Sequence, residues 1–186
     1  MEITKTFYAA NRKIWRDWLK KHYKSEKEIW LVYCRKQAGK PRISYNDAVE
    51  EALCFGWIDS TVKKVDAERR AQKFSPRKAK SVYSQANKER LRRLMARGKV
   101  AKDIRATLGD VVTENFEIPA DILGALKANT QAWEIFQRYS GSYQRIRVGF
   151  IDAARKRPAE FEKRLKHFIR MTEQNKQYGY GIETYF

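Results

Sequence analysis

The polar residues that could bind a ligand or take part in a reaction cluster in one part of the chain. Asp59 lies in the run CFGWIDSTVKKVD, and further polar side chains follow between positions 77 and 87. A few convergent polar groups beside aromatic walls are typical of ligand pockets. The sequence therefore predicts one candidate pocket, which comprises Trp57, Asp59, Arg77, Ser81, Tyr83, Ser84 and Asn87.

A structural role explains the same residues. In this interpretation Asp59 accepts hydrogen bonds from the backbone or from Arg77 and fixes a hairpin, while Ser84 caps a helix. Paired buried charges are more often part of the scaffold than of a functional site. We therefore favour a scaffold role for Asp59 and keep the pocket as an alternative.

A complete catalytic or metal-binding set is not recognisable in the sequence. A nucleophilic triad needs a base within reach of the nucleophile, and the two histidines, His22 and His167, lie among basic residues. We predict that Glu50 and Glu51 lie on the solvated outer face of a helix. Metal-ligand spacing and glycine-rich phosphate loops are missing. The sequence therefore predicts no catalytic residue, no metal and no cofactor, and it favours a binding protein over an enzyme.

The formal net charge of +18 is unevenly distributed. Between Thr61 and Lys99 there are 14 Lys or Arg residues and three acids. Such a field favours a partner that is acidic or bears phosphates, whether a protein, a nucleic acid or an anionic surface. The candidate anion-binding residues are Lys63, Lys64, Arg69, Arg70, Lys73, Lys78, Lys80, Lys88, Arg92 and Arg93.

Nucleic acid is one alternative partner. Basic residues alternate with Phe74 and Tyr83 in this stretch, as phosphate contacts combined with base stacking would require. The stretch matches no named nucleic-acid-binding motif. The hypothesis rests on charge, and it predicts an affinity that falls steeply with salt.

Periodicity predicts alternating helices and strands in the first part of the chain. A helix from about Asn11 to Tyr23 is followed by a buried, central strand in EIWLVYCRK. Ser44 can cap the next helix with Asp47 three residues later, and Gly56 can end it in the left-handed conformation. Two strands then form a hairpin through residues 66–68.

Strict alternation along the first strand of that hairpin predicts two faces. Trp57, Asp59, Thr61 and Lys63 would lie on one face, and Ile58, Ser60 and Val62 on the other. Asp59 and Lys63 would therefore project from the same side of the sheet.

The rest of the chain is predicted to be helical. A helix in SVYSQANKERLRRLMARGK begins at Ser81 or Ser84 and ends at Gly98. Four further short helices are predicted to begin at Pro119, Thr130, Ser142 and Pro158. The predicted class is α+β, with a small antiparallel sheet flanked by helices and a C-terminal subdomain of short helices. The predicted parts are an α+β domain at 1–100, a linker at 101–117, a helical subdomain at 118–174 and a tail at 175–186.

Cysteine use and hydropathy predict the compartment. Cys34 and Cys54 lie in apolar stretches, which predicts buried free thiols in a reducing environment. No apolar run reaches the roughly 20 residues of a membrane helix, and the N-terminal residues lack the apolar region of a secretory signal. We therefore expect a cytoplasmic protein without a transmembrane segment, and the oligomeric state stays open.

Three motifs connect the chain to a known family. The run ALCFGWID at Ala52–Asp59 is followed by SPR at Ser75–Arg77 and by the pattern S-x-Y-S-x-x-N at 81–87. Together with the helical segment at 118–158, these motifs resemble the YdeI/OmpD-associated family of bacterial proteins, also named bacteriocin-protection proteins. The resemblance covers most of the chain.

The chain departs from the family pattern at three places. Tyr83 and Phe150 stand where the family usually has tryptophan, and GKV replaces G-x-M after the motif helix. These aromatic or apolar exchanges should preserve the fold. The resemblance implies an association with envelope stress and with resistance to antimicrobial or bacteriocin peptides, and it implies no enzymatic activity.

Three hypotheses follow about function. We favour a non-enzymatic binding protein that supports tolerance of antimicrobial peptides or bacteriocins through an acidic or phosphate-bearing partner. One alternative is a nucleic-acid-binding protein that uses the basic region at 61–99. Another is a small-ligand or enzyme pocket around Asp59, Arg77, Ser84 and Asn87.

Overall fold

A computed structural model of the chain describes residues 2–35, 39–78, 81–113 and 115–186. Strands and helices both occur as far as Pro76, and helices follow, which confirms the predicted α+β class. The chain forms two compact units, one of Met1–Val82 with Arg90–Gly109 and one of Tyr83–Glu89 with Asp110–Phe186. The predicted domain boundaries stay a prediction.

The first unit contains a four-stranded sheet with the order β1-β2-β4-β3. The strands are β1 (Thr6–Tyr8), β2 (Ile29–Cys34), β3 (Trp57–Lys64) and β4 (Arg69–Pro76). As predicted, β3 and β4 form a hairpin and β2 is a buried interior strand. The sheet is mixed rather than purely antiparallel, because β1 pairs with β2 in parallel.

In the described part of the chain, the first unit contains three α-helices and part of a fourth, and Ser44 caps one of them as predicted. They are α1 (Arg12–His22), α2 (Tyr45–Cys54), the later part of α3 (Gln85–Ala96) and α4 (Lys102–Thr107), which lies within the predicted linker. The side-chain oxygens of Asn11 and Ser44 accept hydrogen bonds from the backbone of the first turns of α1 and α2. Such bonds satisfy N–H groups that a helix leaves without internal partners.

Gly56 ends α2 as predicted, for two reasons. Its φ of +70° lies in the left-handed region that favours glycine. A Cβ atom at this position would also lie 2.9 Å from Cδ1 of Ile104. The turn from α2 into β3 therefore requires glycine by conformation and by space.

Tryptophans build the core of the first unit. The rings of Trp15 and Trp18 stack with 5.3 Å between centroids, and Trp15 lies equally far from the ring of Phe74. Trp57 meets Trp18 edge-on at 5.8 Å, and its indole N–H donates a hydrogen bond to the carbonyl oxygen of Tyr23. Both predicted free thiols, Cys34 and Cys54, are buried, as expected.

Four helices form most of the second unit. They are α5 (Ala120–Lys127), α6 (Thr130–Arg138), α7 (Gly141–Asp152) and α8 (Pro158–Glu173). Pro119 and Pro158 begin helices as predicted. The predicted caps Thr130 and Ser142 are wrong, because Asn129 and Ser140 accept the capping hydrogen bonds of α6 and α7.

The C-terminal residues pack into the second unit. The hydroxyl of Ser140 donates to the carbonyl oxygen of Tyr185 at 2.6 Å. The hydroxyl of Tyr143 donates to the carbonyl oxygen of Tyr178 and accepts from its N–H, at 3.2 and 2.9 Å. Ile182 and Tyr185 are buried with the helices. Across the described residues, no helix is long and apolar enough to span a membrane.

Candidate functional site

Asp59 lies on the same face of β3 as Trp57, as predicted. Its Oδ2 accepts hydrogen bonds from Nε2 of Gln72 at 2.7 Å and from the hydroxyl of Tyr45 at 3.2 Å. Burial raises the pKa of Asp59, and the hydrogen bond from Tyr45 only partly opposes this effect. The carboxylate therefore has neutral hydrogen-bond donors and a desolvated position.

Arg77 forms hydrogen bonds with the backbone of the loop that follows β4. Its Nη2 donates to the carbonyl oxygens of Ser81 and Val82, at 3.2 and 3.0 Å. These bonds close the loop that follows β4. The prediction that Arg77 donates a hydrogen bond to Asp59 is therefore wrong, because Gln72 and Tyr45 donate to that carboxylate.

A bulge between Asp59 and Val62 changes which residues share a face. Asp59 pairs with Phe74, whereas Lys63 pairs with Ala71, which projects from the opposite side of β4. The predicted alternation along β3 is wrong beyond Asp59. The ammonium group of Lys63 lies over the ring of Trp30, 5.9 Å from its centroid.

The candidate pocket residues are divided between the two units. Trp57, Asp59, Arg77 and Ser81 belong to the first unit. Tyr83, Ser84 and Asn87 belong to the second, where the Ser84 hydroxyl accepts from the backbone N–H of Asn87 at 3.3 Å and caps α3. The capping role of Ser84 is confirmed, and the proposed pocket stays a prediction.

Several predicted anion-binding residues have internal acidic partners. Arg69 contacts Asp66 at 2.6 Å, Lys73 contacts Glu28, and Arg93 contacts Glu50. Lys88 and Arg92 lie on α3 and are partly buried. Lys80 lies outside the described residues. Much of the predicted basic surface therefore takes part in the fold.

A smaller set of cations points to solvent. Lys64, Arg70 and Lys78 are exposed, Lys63 is half-buried, and none of the four makes an ion pair with a carboxylate in the described ranges. Val62 and Val65, beside Lys63 and Lys64, are 54% and 38% exposed. Val62, Lys64 and Arg70 share one face of the β3–β4 hairpin, so this face combines cationic and apolar side chains.

Phe74 does not take part in that surface. Its side chain is 0% exposed and packs against Trp15 in the core. The prediction that Phe74 could stack on a base is therefore wrong. The alternation of basic and aromatic residues in the sequence reflects the two faces of β4, one buried and one solvated.

The predicted solvated position of Glu50 and Glu51 is also wrong. These residues are 5% and 2% exposed. Arg12 contacts both carboxylates, while Arg16 contacts Glu51 and Arg93 contacts Glu50. Arg12 and Arg16, one helical turn apart on α1, could have indicated this network. Within the described ranges, no group of three or more His, Cys, Asp or Glu residues could hold a metal ion.

A cavity in the second unit was not predicted from the sequence. It has a volume of about 490 Å³ and lies between the first residues of α3, α7 and the segment around Tyr178–Ile182. Arg147 of α7 lines it and is 5% exposed. In the sequence this arginine resembles Arg145, the other basic residue of α7, so no local signal distinguishes it.

Two family models match separate parts of the chain. One is described as a domain of unknown function (DUF8412) and matches residues 7–107. The other is described as bacteriocin-protection, YdeI or OmpD-associated, and matches residues 115–175. The predicted relationship to the YdeI/OmpD-associated family is confirmed through the helical segment, while the three motifs lie in the first match. No curated protein and no solved structure matches the chain.

Proposed function

We propose a function from the premise that the chain belongs to the family described as a domain of unknown function (DUF8412) and carries a bacteriocin-protection, YdeI or OmpD-associated domain at 115–175. The protein is a non-enzymatic binding protein whose β3–β4 hairpin adsorbs to an anionic lipid surface. The observation that carries the proposal is the exposure of Lys64 and Arg70, without described carboxylate partners, beside exposed Val62 and Val65.

Charge and apolar contact act together in such binding. Each Lys or Arg near an anionic membrane contributes about 1 kcal/mol, and exposed apolar side chains add burial in the interfacial region. The net charge of +18 draws the whole molecule toward the surface before the hairpin makes contact. The hairpin alone therefore supports weak, reversible and salt-sensitive adsorption.

Adsorption also provides a mechanism of tolerance. Cationic peptides accumulate on membranes because the lipid surface is negative. A cationic protein on the same surface lowers that potential and competes for the same lipids. Direct capture of a cationic peptide is disfavoured, because like charges repel. The proposal places the protein in the cytoplasm, where it would act against cationic peptides that have reached the inner leaflet.

Vesicle co-sedimentation tests this proposal. We expect binding to vesicles of phosphatidylglycerol and phosphatidylcholine, little binding to phosphatidylcholine alone, and release by added salt. The double variant Lys64→Gln/Arg70→Gln should bind anionic vesicles more weakly. The matched control Lys20→Gln/Lys21→Gln changes two exposed cations of α1 and lowers the net charge equally.

Two outcomes would contradict the proposal. Equal loss of binding in both double variants would assign adsorption to net charge rather than to the hairpin. Binding to duplex DNA with the same hairpin dependence, and no binding to anionic vesicles, would instead support the nucleic-acid alternative.

A further inference from the structure

The cavity of the second unit has a mainly apolar lining. Ala86, Ile146, Phe150, Tyr178 and Ile182 contribute aliphatic or aromatic surface to it. Its volume of about 490 Å³ falls in the range of small-molecule sites. An apolar lining alone indicates little about the ligand. The buried charged residue of the lining therefore indicates which class of ligand the cavity would bind.

Arg147 supplies that charge. The side chain is 5% exposed, its Nε has no hydrogen-bond partner, and no carboxylate of the described ranges forms an ion pair with it. Arg145, two residues earlier on α7, shows the usual arrangement, because two of its nitrogens each donate to Glu89 at 2.8 Å. Arg147 thus differs from its neighbour in lacking an internal anion.

Aromatic rings hold the Arg147 guanidinium in place. Its central carbon lies 3.9 Å from the ring centroid of Tyr178, 5.0 Å from that of Phe150 and 5.6 Å from that of Phe168. Cation–π contacts orient the group and offset part of its desolvation. They leave hydrogen-bonding capacity at the edge of the guanidinium, which an anion can use.

The surroundings of this arginine are electropositive. The pKa of His167, which packs edge-on against Tyr178, is lowered by burial and by the charges of Arg170, Arg147 and Lys163. Arg147 itself has no carboxylate partner in the described ranges, so its counter-charge would come from a ligand.

The backbone at Gly179 lies close to the guanidinium group of Arg147. Gly179 has φ of +141°, and a Cβ atom there would lie 2.5 Å from Cδ1 of Ile182 and 3.5 Å from Nη1 of Arg147. Any other residue would therefore press on the wall of the cavity.

We propose that this cavity binds a small organic carboxylate with an aromatic or aliphatic body, and that Arg147 binds the carboxylate group. The guanidinium edge matches a carboxylate in a bidentate geometry, and a single arginine balances a single negative charge. The apolar lining accepts the body of the ligand. This site is independent of the membrane-binding hairpin.

Calorimetric titration with 3-phenylpropionate tests the proposal on the full chain. We expect the carboxylate to bind and the uncharged 3-phenylpropanamide to bind about tenfold more weakly or not at all. Arg147→Met keeps an apolar side chain of similar length and should abolish the preference for the carboxylate. Lys156→Met, which removes an exposed cation from the same unit, should leave binding unchanged.

A second variant separates ligand binding from folding. Ala153 is exposed at the cavity and can be replaced by Phe, which should block the ligand while the thermal midpoint stays near that of the wild type. The proposal is overturned if the folded Ala153→Phe variant keeps full affinity, or if Arg147→Met keeps the preference for the carboxylate. It is also overturned if neither 3-phenylpropionate nor octanoate binds at millimolar concentration.

Discussion

At the scale of residues, Glu51 and Asp59 are carboxylates of one unit in different surroundings. Glu51 contacts two guanidinium groups, those of Arg12 and Arg16. Within the described ranges, the side chains that donate hydrogen bonds to Asp59 are the uncharged Tyr45 and Gln72, and burial raises the pKa of Asp59. Cationic partners therefore contact the first carboxylate, whereas burial of the second raises its affinity for a proton.

Asp59→Asn tests this difference through pH. Because the pKa of Asp59 is raised in the folded state, the folded state binds this proton more tightly than the unfolded state. The stability that this proton contributes to the folded state is fully present below the ordinary pKa of about 4. It is lost as the pH rises through the raised pKa of Asp59 in the folded state. We expect the stability of the wild type relative to Asp59→Asn to increase as pH falls from about 7 to about 4.

Thermal melts at several pH values measure this trend, and Asp17→Asn is its control. The pKa of Asp17 is lowered by Lys13, so its contribution is present at neutral pH and is lost on acidification, which is the opposite direction. A constant difference between wild type and Asp59→Asn over the whole pH range would contradict the prediction.

Glu51→Gln tests the buried ion pairs. The change leaves the guanidinium groups of Arg12 and Arg16 beside a neutral amide at a site where the acid is 2% exposed. Since both arginines are partly solvated, we expect a loss of about 2 kcal/mol in the free energy of unfolding, below the range for fully buried pairs. Urea unfolding measures this loss. The control Glu68→Gln, at an exposed residue, should change the free energy of unfolding by less than about 0.5 kcal/mol.

At the scale of elements, local signals predicted most of the first unit. The helix that starts near Asn11, Ser44 as a helix cap, Gly56 as a helix end and the β3–β4 hairpin depend on residues close in sequence. Strand β1 has three residues, too few for a periodic pattern. The bulge in β3 could not be predicted, because it depends on pairing with β4 and leaves no local pattern.

Gly56→Ala tests the junction of α2 and β3. The change places a Cβ atom at positive φ and within 2.9 Å of Ile104. We expect a loss of about 1 to 2 kcal/mol in the free energy of unfolding, measured by urea unfolding. Gly98→Ala, also at positive φ but with open space around its Cβ, should cost less. Equal losses would show that the contact with Ile104 contributes nothing.

At the scale of the whole molecule, the sequence indicated the excess of positive charge but not the place of each cation. Lys64 and Arg70 remain exposed, whereas Arg93 pairs with Glu50. The cavity around Arg147 could not be predicted, because Tyr178 approaches this arginine from a separate segment of the chain. Candidate sites that depend on such distant contacts are visible only after folding.

Salt dependence of stability tests the effect of net charge. With 40 basic and 22 acidic residues, repulsion among cations opposes the compact state. Salt at about 0.15 M reduces the Debye length to about 8 Å and screens this repulsion. We expect the thermal midpoint to rise between low salt and about 0.15 M sodium chloride. A fall would show that the ion pairs contribute more than the repulsion costs.

Helix α3 contributes to both units, since Gln85–Glu89 belong to the second and the rest to the first. The second unit is thus encoded by two stretches, and the shorter one supplies Glu89, the acceptor of Arg145. A fragment starting at residue 115, where the bacteriocin-protection match begins, would lose that acceptor. A single crossover therefore could not exchange one unit without also exchanging or dividing part of the other.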